Sequence, residues 1–357
     1  MKNEKPTLII LTPGFPKDET DSTCLPSQQL FAKMLKEKYS SLEVVIISFQ
    51  YPYVEREYNW HGCKIIAMGG KRKGGLFRVL LWRRVWRRLK KLKSCSDIKG
   101  ILSFWCGECA LVGNRFSKRY NIKHHCWLLG QDAQRSNKYV ARIKPAAEEL
   151  IAMSDFLAET FYSAHGILPA HIIENGISVQ AFQNAVTERA IDILGAGSLI
   201  PLKQYELFIE IIKAIKKTFP SIKAVIAGKG VEEKKLRLLI TSNELDDNLS
   251  LTGELPHDET LKLMQRSRIF LHSSRYEGFS TVCLEALAAG CRVLSFTQAM
   301  RSPVQHWEIF SDKETMQRRV IEILNDKSMQ YYPVFPFTME SAVSKIMQLY
   351  LKEFAAV

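Results

Sequence analysis

Two glutamates, Glu277 and Glu285, frame the segment EGFSTVCLE and could act together on one ligand. The apolar run before them, residues 269–272, predicts a strand, and the pattern after Ser280 predicts a helix that this serine caps. The loop then presents one carboxylate and the helix flank presents the other, with the free N–H groups of the helix start between them. Such a helix start can bind a diphosphate. The alternative is structural: two exposed glutamates beside a capped helix.

A candidate cation lies further upstream. The segment GAGSLIPLK ends at Lys203 and follows an apolar run that predicts a strand over Ile191–Ala196. An ammonium group in such a loop is a point charge that can bind an anion. Taken alone, a loop lysine is more often an ordinary solvated side chain, so this interpretation depends on the two glutamates downstream.

Together these segments resemble the motifs of retaining glycosyltransferases, in particular family 4, which have the two-domain GT-B fold. The resemblance implies catalytic roles for Glu277, beside the donor sugar, and for Lys203, on the leaving diphosphate. It also implies that Glu285 binds the ribose hydroxyls of the nucleotide. The backbone amides of five consecutive residues would contact phosphate: Gly278, Phe279, Ser280, Thr281 and Val282.

Four further positions correspond to donor-binding positions of that family. Ser198 stands where the family has an arginine, so the usual cationic pair is reduced to Lys203, which lacks the bidentate fork of a guanidinium. Gly228 occupies a tight turn that would border the nucleotide, and the backbone of Leu255 would contact the base. Gly14 is the one glycine in a loop that would approach the donor phosphates.

Two other segments differ from the family pattern. Asp132 is a candidate acceptor-side residue, but Leu129 replaces the histidine that many relatives have nearby. The alternative is that Asp132 caps its own loop. After Phe296, the segment TQAMRSPV replaces a glycine-rich stretch that contacts the donor in relatives. The sequence therefore leaves the identity of the donor open.

Short apolar runs alternate with amphipathic helical patterns, which predicts parallel sheets covered by helices on both faces. We therefore expect an α/β protein with two Rossmann-like doubly wound domains that face each other across a cleft, which the family resemblance implies is the GT-B fold. The expected acceptor-binding domain covers residues 1–185, and the nucleotide-sugar-binding domain covers 186–338. The C-terminal segment 339–357 is expected to return to the first domain as a helix.

Periodicity and turn residues place the elements along the chain. The predicted strands cover residues 7–11, 44–49, 63–68, 100–104, 126–129, 150–153, 171–173, 191–196, 223–227, 249–252, 269–272 and 292–296. The predicted helices cover residues 26–38, 76–93, 109–118, 155–164, 205–218, 231–242, 258–265, 281–289 and 339–354.

Residues 71–93 form a strongly basic segment, in which eleven Lys and Arg occur without an acid. This segment accounts for most of the formal net charge of +13. Leucines and two tryptophans, Trp82 and Trp86, alternate with the cations at roughly helical spacing. The pattern favours a helix on an anionic membrane surface, with its aromatic side in the headgroup layer. The alternatives are a domain helix with a solvated basic face and a nucleic-acid-binding stripe.

The composition is that of a folded two-domain protein, with 357 residues of which 46% are hydrophobic. The first apolar run, residues 7–11, is too short for a signal peptide or a spanning helix, so we expect a cytoplasmic protein, peripheral at the inner face of the cell membrane. The eight cysteines are expected to be reduced. Cys106 and Cys109 have the spacing of a redox motif, but such a motif needs a domain of its own, and zinc needs a second ligand pair that is missing. Ordinary core or loop thiols are therefore favoured.

The resemblance to the retaining glycosyltransferases leads to a functional hypothesis. We expect a retaining, metal-independent hexosyltransferase that uses a nucleotide-sugar donor, such as a UDP- or GDP-sugar, and a glycan or lipid-linked acceptor in polysaccharide biosynthesis. No metal-ligand spacing is found, and neither a cofactor nor a nucleic-acid partner is expected. The alternative is a catalytically silent protein of the same fold that acts as a membrane-docked partner of other glycan-assembly enzymes.

Overall fold

The computed structural model describes residues 5–182 and 188–351. The chain divides into two compact units. Unit 1 contains the described residues up to Gly176 together with those from Met339 onward, and unit 2 extends from Ile177 to Thr338. The division therefore falls at Gly176 rather than at residue 185, and the C-terminal segment belongs to unit 1.

Unit 1 is built on an eight-stranded sheet with the order β3-β4-β2-β1-β5-β6-β7-β8. All neighbouring strands are parallel except β3 and β4, which are antiparallel. Side chains such as Ile9 and Val45 are fully buried, as expected where helices cover both faces of a parallel sheet. The strands are β1 (Pro6–Gly14), β2 (Glu43–Tyr51), β3 (Arg56–Trp60), β4 (Cys63–Ala67), β5 (Asp97–Phe104), β6 (His124–Trp127), β7 (Leu150–Ala152) and β8 (His171–Ile172).

Five helices connect these strands. They are α1 (Pro26–Lys38), α2 (Gly75–Lys93), α3 (Glu108–Tyr120), α4 (Lys138–Ile143) and α5 (Asp155–His165). Helix α5 is well delimited, because Ser154 accepts a hydrogen bond from the Leu157 N–H at its start and Gly166 adopts a left-handed conformation at its end. A short 3-10 turn, Gly130–Ala133, follows β6 and positions Asp132.

Unit 2 contains a six-stranded, wholly parallel sheet with the order β11-β10-β9-β12-β13-β14. The strands are β9 (Ile191–Ala196), β10 (Ala224–Ala227), β11 (Leu249–Gly253), β12 (Ser267–His272), β13 (Arg292–Ser295) and β14 (Trp307–Ile309). The helices are α6 (Tyr205–Lys216), α7 (Glu233–Ser242), α8 (His257–Gln265), α9 (Thr281–Ala288) and α10 (Lys313–Asn325). Because β9 and β12 are neighbours at the centre of the sheet, the loops that follow them emerge side by side.

The last helix, α11 (Met339–Gln348), packs against α1 in unit 1. Lys38 on α1 forms an ion pair with Glu340 on α11 at 3.1 Å. Beyond the helix, the Tyr350 hydroxyl is buried and donates a hydrogen bond to the Ile101 carbonyl oxygen at 2.8 Å. The prediction that the C-terminal helix returns to the first domain is thus confirmed, although the helix ends at Gln348, and residues 352–357 lie outside the described part of the chain.

Helix α2 is amphipathic, but its tryptophans face the protein. Trp82 Nε1 donates a hydrogen bond to Glu108 Oε2 at 2.9 Å. The Trp86 ring packs edge-to-face on Phe116, with 5.1 Å between the ring centroids. The helix buries four aliphatic side chains: Leu81, Val85, Leu89 and Leu92. The prediction that the aromatic side of this helix lies in a headgroup layer is therefore wrong for both tryptophans, which pack within their own unit.

The exposed apolar residues of α2 lie in its first turns: Leu76, Phe77, Val79 and Leu80. Further along, the helix is tied to unit 1 through its arginines. Arg84 pairs with Glu55, and Arg88 pairs with Glu57 at 2.9 Å and with Glu55 at 3.4 Å. The unpaired basic surface is therefore smaller than the sequence suggests. None of the helices in the described part of the chain contains a hydrophobic stretch that could span a bilayer.

Candidate functional site

The loops after β9 and β12 are joined by hydrogen bonds at the carboxyl edge of the unit 2 sheet. The Ser273 hydroxyl donates to the Lys203 carbonyl oxygen at 2.7 Å. The Leu202 carbonyl oxygen accepts from the Arg275 N–H at 3.0 Å and from the Ser274 hydroxyl at 3.3 Å. Because both loops are fixed to each other, the side chains of Lys203 and Glu277 have little freedom to separate.

Lys203 and Glu277 form an ion pair in which the ammonium group donates directly to Glu277 Oε1. His272, the last residue of β12, is buried and places its Nε2 3.3 Å from the same oxygen. Both partners of the ion pair are largely buried, with side-chain exposures of 19% and 17%. The two predicted catalytic residues therefore lie together, and His272 joins them as a third member that the sequence reasoning missed.

These contacts keep the Glu277 and His272 side chains charged. Burial raises the pKa of the Glu277 carboxyl, but the hydrogen bond from His272 and the charge of Lys203 outweigh it and bring the pKa to about 2. Burial likewise lowers the pKa of His272, yet Cys283 and Glu277 raise it to about 9. At neutral pH a carboxylate is thus held by an ammonium group and an imidazolium.

The second glutamate, Glu285 on α9, also has a histidine partner. His257, the first residue of α8, places its Nε2 2.8 Å from Glu285 Oε1. Burial lowers the pKa of His257, but the hydrogen bond and the charge of Glu285 raise it above its ordinary value overall. The Glu285 carboxylate is therefore held by one nitrogen of the ring and keeps acceptor capacity for another donor, such as a hydroxyl.

The start of α9 differs from the predicted cap. Ser280 occupies the N-cap position, as predicted, but its side chain makes no cap hydrogen bond. Its hydroxyl lies instead 3.1 Å from Cys283 Sγ and 3.4 Å from His272 Nε2, because the buried polar groups beside the helix compete for it. The Thr281 backbone N–H donates a hydrogen bond to the Phe279 carbonyl oxygen at 3.1 Å. The row of amides predicted to contact phosphate is thus interrupted at Thr281.

The remaining predicted phosphate contacts are divided between backbone and core. The Phe279 side chain is buried and packs edge-to-face on Phe337, with 5.9 Å between the ring centroids. Val282 lies in the first turn of α9, and Gly278 directly follows Glu277 in the loop. Any contribution of Phe279 to a ligand must therefore come from its backbone, as the sequence predicted.

The turns after β9, β10 and β11 are interlocked. The Gly197 N–H donates to the Ala227 carbonyl oxygen and the Gly228 N–H to the Gly253 carbonyl oxygen, both at 2.9 Å. Gly228 has a φ of +153°, and a side chain there would collide with the Gly197 carbonyl oxygen. The close approach of the Gly197 backbone thus explains why residue 228 is a glycine.

The other predicted donor positions are less constrained. Ser198 is exposed, which leaves the arginine position of the family without a cation, and Leu255 is half-buried in the loop before α8. Gly14 ends β1 in unit 1, where an added Cβ would meet only ordinary contacts, the nearest being Tyr51 Cβ at 3.7 Å. The altered segment after Phe296 lines a separate cavity of about 290 Å³, together with Trp307 and Ile309.

Unit 1 has a cavity of its own, of about 410 Å³, at the carboxyl ends of β1 and β5. Asp132 lines it, is buried and accepts a hydrogen bond from the Leu129 N–H at 2.9 Å. Burial raises the pKa of this carboxyl to about 7, against the backbone hydrogen bonds from Leu129 and Cys106. Asp132 therefore caps its own turn, the predicted alternative, and also borders a cavity.

The cysteine pair is part of the same region. Cys106 and Cys109 are buried free thiols that line the unit 1 cavity. Burial raises the pKa of Cys109 well above its ordinary value, which makes a reactive thiolate unfavourable there. In the described part of the chain, no three His, Cys, Asp or Glu side chains are grouped so that they could hold a metal ion.

Comparison with known proteins finds a family profile that matches most of unit 2. The profile of the glycosyl transferases group 1 family matches residues 177–332, which contain all the predicted donor-binding positions except Gly14. One subunit of the phosphatidylinositol N-acetylglucosaminyltransferase of Arabidopsis thaliana is 26% identical over 153 residues, which are 42% of this chain and 34% of that protein. An N-acetylgalactosaminyltransferase of Campylobacter jejuni, which acts on a diphospho-undecaprenol-linked sugar, is 28% identical over 54% of this chain and 52% of its own length. The matched regions thus span from about a third to about half of these relatives.

Solved structures resemble the chain over nearly its whole length. The crystal structure of Anabaena HepE in complex with UDP and glucose has a TM-score of 0.67 at 15% identity and covers 98% of both chains. The sucrose-phosphate synthase of Thermosynechococcus elongatus has a TM-score of 0.71 at 16% identity, with 99% of this chain and 100% of that chain covered. The chain therefore has the GT-B fold, and its residues 177–332 are similar to the glycosyl transferases group 1 family.

Proposed function

We propose that this chain is a retaining glycosyltransferase that moves a hexose-type sugar from a nucleotide-diphosphate donor to a glycan or lipid-linked acceptor. The observation that carries the proposal is the contact between Lys203 and Glu277 beside the start of α9. A cation and a carboxylate held side by side suit the two parts of one donor: the diphosphate binds Lys203, and the sugar hydroxyls bind Glu277. Glu285 binds the ribose hydroxyls.

The proposed reaction is a front-face displacement. The bond between the anomeric carbon and the diphosphate oxygen breaks, an oxocarbenium-like sugar forms, and the acceptor hydroxyl attacks from the face that the diphosphate leaves. The hydroxyl proton passes to the departing phosphate oxygen. Lys203 and the N-terminal end of α9 stabilise the charge that develops on the diphosphate, while His272 holds Glu277 in place to orient the sugar.

The donor and acceptor classes are proposed from the relatives. UDP is bound in the HepE structure, and N-acetylhexosamine transfer occurs in the names of two relatives, so UDP-sugars are the first donors to examine, followed by GDP-sugars. Both relatives are named for acceptors that carry a lipid and a phosphate: phosphatidylinositol in one and a diphospho-undecaprenol-linked sugar in the other. We propose a lipid-linked glycan of this general kind, in polysaccharide or glycolipid assembly.

We further propose transfer without a metal ion or an organic cofactor. The charge that a divalent cation would neutralise on the diphosphate is met here by Lys203 and the helix start. Retained turnover in excess chelator would agree with this proposal, and turnover restored only by Mg²⁺ or Mn²⁺ would contradict it.

We propose that the first turns of α2, rather than the whole segment 71–93, contact an anionic membrane at the cytoplasmic face. Leu76 and Phe77 are exposed by 72% and 63%. Lys71, Arg72 and Lys73, immediately before the helix, are also exposed and would lie near lipid phosphates. Nucleic-acid binding is not expected, since apolar side chains suit a lipid interface better than a phosphate groove.

Turnover of two variants tests the enzymatic proposal. Lys203→Ala and Glu277→Gln should each lower kcat by about 10²–10³-fold, the usual effect of removing one preorganised stabiliser. Lys217 is an exposed lysine just beyond α6, so Lys217→Ala is the matched control and should keep the wild-type kcat. Near-normal turnover in either site variant would refute the site assignment.

The same experiment addresses the second candidate function, a catalytically silent partner of other enzymes. The exposed Ser198 in place of an arginine is the observation that favours it. If the wild-type chain bound nucleotide sugars yet gave no transfer or donor hydrolysis with any acceptor, this second function would be supported instead.

A further inference from the structure

The unit 1 cavity has an uneven charge distribution. Its acidic lining comes from Glu108, at the start of α3, and from Asp132, in the turn after β6. Its cationic lining comes from Arg78, in the first turns of α2, and Tyr139 on α4 lies beside that arginine. The cavity therefore offers hydrogen-bond acceptors from one set of elements and a guanidinium from another.

The acidic residues are placed to bind neutral hydroxyl groups. Glu108 is oriented by the Trp82 indole at 2.9 Å and by the Gln50 amide. The Asn137 side chain, which also lines the cavity, donates to the Cys106 carbonyl oxygen at 3.0 Å. Fixed carboxylate and amide groups around a cavity of this size suit the hydroxyls of a sugar or a polyol.

Arg78 is different, because its hydrogen-bonding capacity is not fully used. Its buried Nε–H has no partner within the described residues. Burial raises the pKa of the Tyr139 hydroxyl, and the nearby Arg78 charge opposes that rise. A buried guanidinium N–H without a partner is costly, and an anionic oxygen is the partner that best satisfies it.

The same helix end carries the exposed apolar surface. Leu76 and Phe77 precede Arg78, and Val79 and Leu80 follow it, so a cation that lines the cavity lies between exposed apolar residues. Lys73 stacks over the Phe77 ring, with Nζ 4.9 Å from the centroid. An apolar surface, a cation and a polar cavity thus lie within a few residues of each other.

We propose, building on the transferase function above, that the unit 1 cavity binds the head of a lipid-linked acceptor and that Arg78 binds the phosphate that joins its lipid to its sugar. The lipid lies on Leu76, Phe77 and Leu80, and the sugar hydroxyls enter the cavity toward Glu108 and Asp132. Arg78 is thus a specificity-determining residue that selects acceptors with a phosphate over neutral glycolipids.

Equilibrium binding of three synthetic compounds tests this proposal without any need for transfer. The first is a sugar linked through a diphosphate to a short prenyl chain, the second is the same sugar linked to the same chain without phosphate, and the third is the sugar phosphate without a chain. The wild-type chain should bind the first at least about tenfold more tightly than either of the others, the scale of one charge-assisted hydrogen bond. Comparable binding of the tailless or the phosphate-free compound would overturn the proposal.

Two variants on one helix complete the experiment. Arg78→Gln should weaken binding of the prenyl diphosphate sugar about tenfold and leave the phosphate-free compound unchanged. Arg83→Gln, an exposed residue of α2 outside the cavity lining, should change neither. Equal losses for both compounds in Arg78→Gln would mean a purely structural role and would overturn the assignment. UDP binding, measured in parallel, reports on the donor site, so a failure of that site is distinguishable from a failure of Arg78.

Discussion

His257 Nε2 lies 2.8 Å from Glu285 Oε1, so the carboxylate proposed to bind the ribose is oriented by a residue from a different helix. Neither residue is fully exposed, with side-chain exposures of 35% for the histidine and 16% for the glutamate. A partly buried contact of this kind orients the carboxylate more firmly than a surface ion pair would, because less solvent competes for it.

His257→Gln should therefore weaken donor binding. We expect the KM for the nucleotide sugar to rise about fivefold, in keeping with about 1 kcal/mol for one hydrogen bond, while kcat changes little. Because the pKa of His257 is raised, the imidazolium contact is complete at low pH and is lost as pH rises, so the difference between wild type and variant should be larger at pH 6 than at pH 9. Glu259→Gln, an exposed change on the same helix, is the control; an unchanged KM in His257→Gln would contradict the assignment.

His272→Gln should change the alkaline behaviour of the protein. The pKa of His272 is raised to about 9, so its contact with Glu277 stabilises the fold fully below the ordinary histidine pKa and is lost as pH rises through about 9. We expect the wild-type melting temperature to fall between pH 7 and pH 10, and the variant to show a smaller fall over the same range. His61→Gln, on an exposed turn of unit 1, should keep the wild-type slope. Parallel curves for wild type and His272→Gln would show that this contact does not titrate.

Gly228→Ala should destabilise unit 2, since the added Cβ would collide with the Gly197 carbonyl oxygen. Overpacking of this kind costs about 1–3 kcal/mol. Gly253→Ala is the matched comparison, because Gly253 also has a positive φ, +77°, but its Cβ would meet nothing within 4 Å. Chemical denaturation should show a larger loss at Gly228, and equal losses would mean that backbone strain alone explains both.

Vesicle sedimentation tests the membrane proposal for α2. The double variant Leu76→Ser/Phe77→Ser should bind anionic vesicles several-fold more weakly than wild type, because the buried apolar area supplies much of the affinity. Lys90 and Lys91 are exposed at the far end of the same helix. The double variant in which both are changed to Gln should weaken vesicle binding less. Equal effects of the two would indicate a diffuse electrostatic attraction rather than insertion of the first turns.

The regular parts of the fold could be predicted from the sequence, since apolar runs and helical spacing identify elements that are buried on a fixed face. Helix α1 and strand β9 have the predicted bounds. Strand β3 was missed because its sequence, REYNW, is mostly exposed at the sheet edge and has only Tyr58 and Trp60 as apolar residues. Helix α10 was also missed, although Met316, Val320, Ile323 and Leu324 repeat at helical spacing and are all buried.

The candidate site could be predicted only in part. The spacing of the two glutamates and Lys203 indicated a donor site, but the roles of His257 and His272 depend on contacts between distant segments. Similarly, Trp82 and Trp86 follow the periodicity of a surface helix, and only the partners Glu108 and Phe116 show that they face inward. Local pattern gives the elements, whereas the partner of each polar side chain is set by tertiary packing.

The central claim is that unit 2 holds a nucleotide diphosphate between Lys203 and Glu285. Thermal unfolding with a panel of nucleotides and nucleotide sugars measures this most directly, because a ligand at a hundred times its Kd stabilises the native state by about 2.7 kcal/mol. We expect at least one UDP- or GDP-linked compound to stabilise the wild type, with much smaller shifts for Lys203→Ala and Glu285→Ala. The account would be contradicted if no compound stabilised the wild type. It would also be contradicted if both variants showed the same thermal shift as the wild type.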